Sequence, residues 1–532
     1  MAPTSDPARR PPPAHTGPPE SVEPDGAAPG PIPARTPTRT DPPPADAPPA
    51  DASADADASG GVPGAAVSAG AGFPRAAELP AGEPEGPRAA AGLADAVHVS
   101  ARQILALALP ALGALVAEPL FVLADSAIVG HLGPAQLAGL GTAGAALSTL
   151  VNVCVFLAYG TTAQVSRLMG AGRRREALAR GVDGMYLAAG LGVLLGVIGA
   201  VAAGPIVRVL GVTAEAAPYA ETYLRVSSAG LPGMLLVLAA TGLLRGLHDM
   251  RTPLVVAAVA AVANTVLNWL LVYPAGWGIA GSATGTALVQ TGMAVVYVLT
   301  ARRACRAEQI TPRPQWQALR ASLSANAALL TRTVGLRIYL LASVWAAGSL
   351  GTVALAAHTI AANLWSTLAL ALDALAIAAQ ALVGHELGAG RTGQVRAVVA
   401  RMNRWGLGFG VITGVGLLAL SPVLAGAFTG DPAVRHALIP ALVIAALFQP
   451  AAGVVFVLDG VLIGAGDATY LAWASLACTA LFLGAVALVL GFGWGLAGLW
   501  CAIGMFTVTR LVFLWIRSRG TAWMRVGAPE QV

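Results

Sequence analysis

From about residue 100 the chain is a succession of long apolar runs separated by short polar or glycine-rich breaks. A helix rises 1.5 Å per residue, so a run of roughly 20 apolar residues crosses the ~30 Å hydrocarbon layer of a bilayer. This pattern predicts helical spans at 102–130, 136–168, 180–209, 216–244, 252–273, 279–301, 321–347, 353–386, 397–427, 435–463, 468–490 and 495–517. Glycine and alanine are frequent inside them, as expected where helices pack closely in lipid. The breaks alternate in charge. Arg173, Arg174, Arg175 and Arg180 follow the second run, Arg245 and Arg251 the fourth, and Arg302, Arg303, Arg306, Arg313 and Arg320 the sixth. Arg391, Arg396, Arg401 and Arg404 follow the eighth, and Arg517, Arg519 and Arg525 the twelfth, while the opposite side carries little beyond Arg208 and Arg435. By the excess of positive charge on cytoplasmic loops, both termini are expected in the cytoplasm of a multi-pass protein of the cell membrane.

The runs repeat in one register. Gly130-His131-Leu132-Gly133 returns as Gly348-Ser349-Leu350-Gly351, and Gly170-Ala171-Gly172-Arg173 as Gly388-Ala389-Gly390-Arg391, both at an offset of 218. Gly242 with Gly246 and Asp249 returns at the same offset as Gly460, Gly464 and Asp467, and Gly276-Trp277-Gly278 as Gly493-Trp494-Gly495 at 217. A repeat of six spans leaves both halves running the same way, so an axis along the membrane normal relates them. The expected organisation is all-α, twelve transmembrane helices in two six-helix lobes. Residues 1–98 form a disordered Pro/Ala-rich cytoplasmic tail, 99–306 a first lobe, 307–320 a cytoplasmic linker, 321–518 a second lobe and 519–532 a C-terminal tail.

Composition narrows the class. With 56% hydrophobic and 11% charged residues and a mean hydropathy of +0.69, the chain is not a soluble enzyme. No apolar segment follows Arg9 and Arg10, which argues against a cleaved secretion signal. The four cysteines lie far apart and read as small apolar residues rather than metal ligands or disulfides. No nucleophile, nucleotide or zinc motif is present, so a membrane-embedded enzyme has nothing to work with, and no cofactor, metal or nucleic acid is expected.

Candidate chemistry sits in the first run. It holds Glu118 and Asp125 where an ionised carboxylate costs several kcal/mol, and Pro110 where the missing N–H lets a helix bend. Asp125 lies five residues from Gly130, within reach of ions from outside. Asn264 and Asn268, four apart, share one face of the fifth run, and that face should look inward because unpaired amides facing lipid are costly. Carboxyls removed from water favour their neutral form, which suits proton exchange, while the same carboxylate with amide and hydroxyl oxygens suits Na⁺. Asp373 and Gln380 in the eighth run are second-lobe substrate or cation candidates, with pairing of Asp373 to Arg332 or Arg337 the alternative. His358 reads as a packing histidine, Asp459 as structural, and Asp249 and Asp467 as turn residues or partners of nearby arginines.

These residues resemble the multidrug and toxic compound extrusion (MATE) family, and within it the DinF-like branch. The resemblance covers residues 100–517. It rests on Pro110, Asp125 and Gly130-His131-Leu132-Gly133, on the two Gly-Ala-Gly signatures, on Leu372-Asp373-Ala374 with Ala379-Gln380-Ala381-Leu382-Val383-Gly384, and on Asp459-Gly460 with Gly464-Ala465-Gly466-Asp467. It implies two lobes facing across a cleft, alternating between outward and inward openings while H⁺ or Na⁺ drives export of amphipathic, often cationic, organic compounds by a monomer. It places Asp125 as the coupling acid and Pro110 at the helix bend, with Tyr223, Asn264 and Thr286 lining the same cavity. Asn268 stands where several members of the branch carry a second acid. A lipid-linked oligosaccharide flippase of the wider superfamily is the alternative, although such proteins carry an Arg-rich cavity and most arginines here are assigned to loops.

Overall fold

The computed structural model describes residues 100–311 and 316–527. The expected tail 1–98 and the linker prolines Pro312 and Pro314 lie outside the described residues. In chain order the helices are α1 (Ala101–Gly130), α2 (Pro134–Val153), α3 (Phe156–Gly170), α4 (Arg174–Val201), α5 (Ala203–Val209), α6 (Ala217–Ser228), α7 (Leu231–Gly246) and α8 (Arg251–Val272). They continue as α9 (Gly278–Ala307), α10 (Trp316–Ser349), α11 (Thr352–Gly388), α12 (Thr392–Phe428), α13 (Pro432–Gly464), α14 (Ala468–Phe492) and α15 (Gly495–Arg519). The described residues contain no strand. Among the described residues eleven spans are long and apolar enough to cross a membrane, and α6 with α7 makes a twelfth bent by 52°.

Local chemistry explains the boundaries. Ser100 opens α1 by accepting from the Gln103 N–H at 3.2 Å while Gln103 Oε1 accepts from the Ser100 N–H at 2.8 Å. From there α1 runs unbroken through Pro110 and Pro119. Asp431 caps α13 by accepting from the Ala433 N–H at 2.8 Å. The expected continuous span at 216–244 is instead broken between α6 and α7, where Gly230 precedes a turn holding Pro232. Proline cannot donate to the preceding turn, and Pro232 is pressed against Gly192, where a Cβ would lie 2.6 Å from its Cα. The third span ends at Val201 and the chain turns into the short α5 rather than continuing to 209.

The repeat is written into the backbone. Gly133 and Gly351 have φ of 134° and 110°, Gly172 and Gly390 of 73° and 75°, Gly276 and Gly493 of 71° and 67°. His248 takes the left-handed conformation, φ 62°, that its counterpart Gly466 takes at 75°. Helix packing follows suit. Gly192 meets Pro232 and Gly196 meets the Ser228 carbonyl in the first lobe; Gly410 meets Pro450 and Gly414 the Ala446 carbonyl in the second.

The lobes α1–α9 and α10–α15 meet at the end where the arginine-rich breaks lie. A Cβ on Gly170 would fall 1.8 Å from the His385 carbonyl oxygen, one on Gly388 1.9 Å from that of Arg167, and one on Gly384 2.1 Å from Ser166 Oγ. Among the described residues every hydrogen bond between the lobes belongs to this end: Gln380 Nε2 to the Tyr159 carbonyl at 2.7 Å, Tyr159 Oη to Asp373 at 3.4 Å, Arg167 Nη1 to the Ala465 carbonyl at 3.2 Å, and His248 with the Ala381 carbonyl at 3.4 Å. After α15 the chain folds back here. Trp523 is buried, the Gly527 N–H donates to the Leu387 carbonyl at 3.0 Å, and Arg167 Nη2 donates to the carbonyls of Arg525 and Gly527 at 2.7 and 3.0 Å.

Candidate functional site

Four helices of the first lobe converge on Asp125. The residue is 6% exposed on α1, Asn264 and Asn268 come from one face of α8, Thr286 from α9 and Tyr223 from α6, all buried except the partly buried Thr286. The Asn268 amide donates to Asp125 Oδ1, and the Thr286 hydroxyl donates to Oδ2 at 3.2 Å. Asn264 Nδ2 donates to Thr286 Oγ1 at 3.0 Å, and Asn268 Nδ2 also lies 3.4 Å from Asn264 Oδ1. Tyr223 Oη borders the same carboxylate and Thr286. The structure thus brings together all five residues assigned to cation coupling.

No arginine stands among these partners. Every group that touches the carboxylate is neutral, so its charge is met by hydrogen bonds alone. One unshared oxygen adds to the polarity: Asn268 Oδ1, which has no hydrogen-bond partner among the described residues. A buried carboxylate held this way gains by binding a proton or a small hard cation, since an unpaired ionic charge away from water costs several kcal/mol.

One residue that makes the site possible escaped the sequence reading. A Cβ on Gly285 would sit 1.9 Å from Asn268 Oδ1, so only glycine on α9 leaves room for that amide. A Cβ on Gly281, one turn earlier, would lie 2.7 Å from the Leu271 carbonyl.

The other candidates lie elsewhere. Glu118 is exposed, eight residues after Pro110 on α1, and interacts electrostatically with Arg337 of α10. Gln380 is buried and spent on the Tyr159 carbonyl, joining the lobes. Asp373 is half-buried and accepts from Tyr159, with Arg245 and Arg332 close enough to act on its charge. Arg332 does not pair with Asp373; its guanidinium donates to Asp459, which Arg510 also approaches at 3.2 Å. Arg245, expected in a loop, is buried in the last turn of α7, and Arg167 and Arg225 are helical too. His358 contacts Ser343 at 3.4 Å and packs by Trp500, with ring centroids 5.8 Å apart. Asp249 caps α8 through the Arg251 and Thr252 N–H groups at 3.1 and 3.0 Å, and Asp467 pairs with Arg517 at 2.7 Å. Three cysteines are buried and Cys501 is exposed, and among the described residues no His, Cys, Asp or Glu cluster could hold a metal ion.

The chain has known relatives. A model of the family described as MatE matches residues 110–270 and 333–489, one segment in each lobe. The chain is 30% identical over 452 residues to the chloroplastic Protein DETOXIFICATION 44 of Arabidopsis thaliana, spanning 81% of this chain and 85% of that one. It is 27% identical over 433 residues to the DNA damage-inducible protein F of Escherichia coli strain K12, spanning 78% and 92%. Among solved structures, the outward-facing conformation of a multidrug resistance MATE family transporter of the MOP superfamily superposes with a TM-score of 0.73 at 22% identity, over 79% of this chain and 96% of the other.

Proposed function

We propose that this chain, which belongs to the MatE family of membrane transporters, is a cation-coupled antiporter that exports amphipathic organic compounds, cationic ones included, by alternating access of its two lobes. The observation that carries the reading is the neutral shell of Asp125. A carboxylate with amide and hydroxyl partners but no arginine is a place for a cation to bind and leave, whereas a carboxylate fixed to a guanidinium is not.

The rest follows from position. The arginine-rich end is cytoplasmic by the charge rule, and the lobes meet there, so the arrangement corresponds to a monomer of the cell membrane opening outward, with both termini inside. An outside H⁺ or Na⁺ neutralises Asp125. Its bonds to Asn268, Thr286 and Tyr223 then weaken, and α1 rearranges about Pro110 toward a shape with lower substrate affinity. Substrate leaves, and cation release on the other side resets the lobe.

The decisive experiment uses purified full-length protein in proteoliposomes, reading substrate-induced pH change against Na⁺ dependence, with Asp125→Asn as the control. Dye export driven by the ion gradient should fall to background in the variant while the unfolding temperature stays near that of the parent. Export at the parental rate would remove Asp125 from the mechanism.

A further inference from the structure

A second polar cluster lies at the closed end, between the lobes, and the coupling mechanism leaves it unused. It contains Arg245 on α7, Arg332 on α10, Asp373 on α11, Asp459 on α13 and Arg510 on α15. Asp459 serves Arg332 and Arg510 together. Asp373 accepts only the long 3.4 Å bond from Tyr159 among the described residues. Three guanidinium groups therefore face two carboxylates, and one positive charge is in excess.

Arg245 is 8% exposed, yet its guanidinium makes no hydrogen bond to any described residue; Asp373, Tyr159 and Tyr297 act on it only at a distance. A guanidinium carries five N–H donors, and none of the Arg245 nitrogens is a sealed atom without a partner, so these donors open onto accessible space. The planar fork matches a carboxylate, which it takes through two parallel bonds. Asp373, whose charge acts on Arg245, is itself half-exposed on a helix of the other lobe.

We infer that this floor is a carboxylate-binding subsite in which Arg245 grips the acidic group of an organic substrate, between Tyr159 of the first lobe and Asp373 of the second. The inference rests on the export reading above and deepens it: the transported compounds carry a carboxylate, alone or together with a cationic centre. Because Arg245 and Asp373 belong to different lobes, an occupant also touches both halves at the place where they must separate.

A matched pair of dyes tests this. Rhodamine 6G is an ethyl ester, and rhodamine 19 is the same xanthylium cation with its carboxylate free. Fluorescence polarisation with the purified full chain in detergent needs no ion gradient, so it reads the subsite independently of coupling. The wild type should bind the acid at least tenfold tighter than the ester. Arg245→Gln should abolish that preference by weakening the acid tenfold and the ester less than twofold, and Arg245→Lys should retain part of it, with thermal unfolding followed for each protein. Equal binding of the two dyes by the wild type, tighter binding of the ester, or no binding of the acid overturns the proposal whatever the variants do. Asp125→Asn separates the two readings: a protein that binds the acid with wild-type preference but exports none has lost coupling, whereas unimpaired export refutes the coupling reading and leaves the subsite standing.

Discussion

In the proposed mechanism Asp125 works through the company it keeps. Its partners are an amide and a hydroxyl from two other helices, with a phenol beside them, so each can adjust when the carboxylate is neutralised. Replacing Asn268 by Ala removes the first of these. A lost hydrogen bond to a charged buried group costs about 1–3 kcal/mol, and the expected result is gradient-driven dye export slowed roughly tenfold to a hundredfold in a protein that still folds, measured in the same proteoliposomes. Much of this site was legible beforehand. Acids are rare in apolar spans and two asparagines four apart define a face, so Asp125, Asn264 and Asn268 could be picked out by physics, while Tyr223 and Thr286 came only with the family resemblance. Gly285 could not, because a glycine's importance depends on what crosses it, and that is decided by a helix distant in sequence.

At the level of helices, the twelve-run pattern and its 218-residue register foretold the architecture, down to paired left-handed glycines at matching turns. What the pattern could not supply was the fate of individual arginines. Arg245 immediately precedes the glycine that closes a helix and was counted with the loop charges, but the helix extends two residues beyond the expected end and carries it inside. The break between α6 and α7 was likewise hidden, since hydropathy is indifferent to a 52° change of direction. Close helix contacts give a sharp prediction. On α11, Gly388→Ala would put a methyl 1.9 Å from the Arg167 carbonyl oxygen, so the lobes must part at that end. Spin labels at Ala171→Cys and Ala389→Cys should report a longer mean distance in this variant than in the parent.

For the molecule as a whole, the two lobes differ in how they manage charge. The first leaves Asp125 without an ionic partner among the described residues; the second locks Asp459 between Arg332 and Arg510. Breaking a buried pair by removing one member costs about 3–5 kcal/mol, so Arg332→Ala should lower the unfolding temperature in mild detergent far more than Asp125→Asn does. A repeat therefore need not mean two equivalent engines: in the proposed mechanism one half changes its protonation or ion occupancy while the other holds shape. The segment after α15 adds a last consequence. Its carbonyls, with that of Ala465, hold Arg167 across the seam, and its Gly527 N–H is tied to Leu387. Any reporter or purification handle fused behind Gly527 hangs from this knot, so handling the protein by its carboxyl end pulls on the very seam whose opening one wishes to watch.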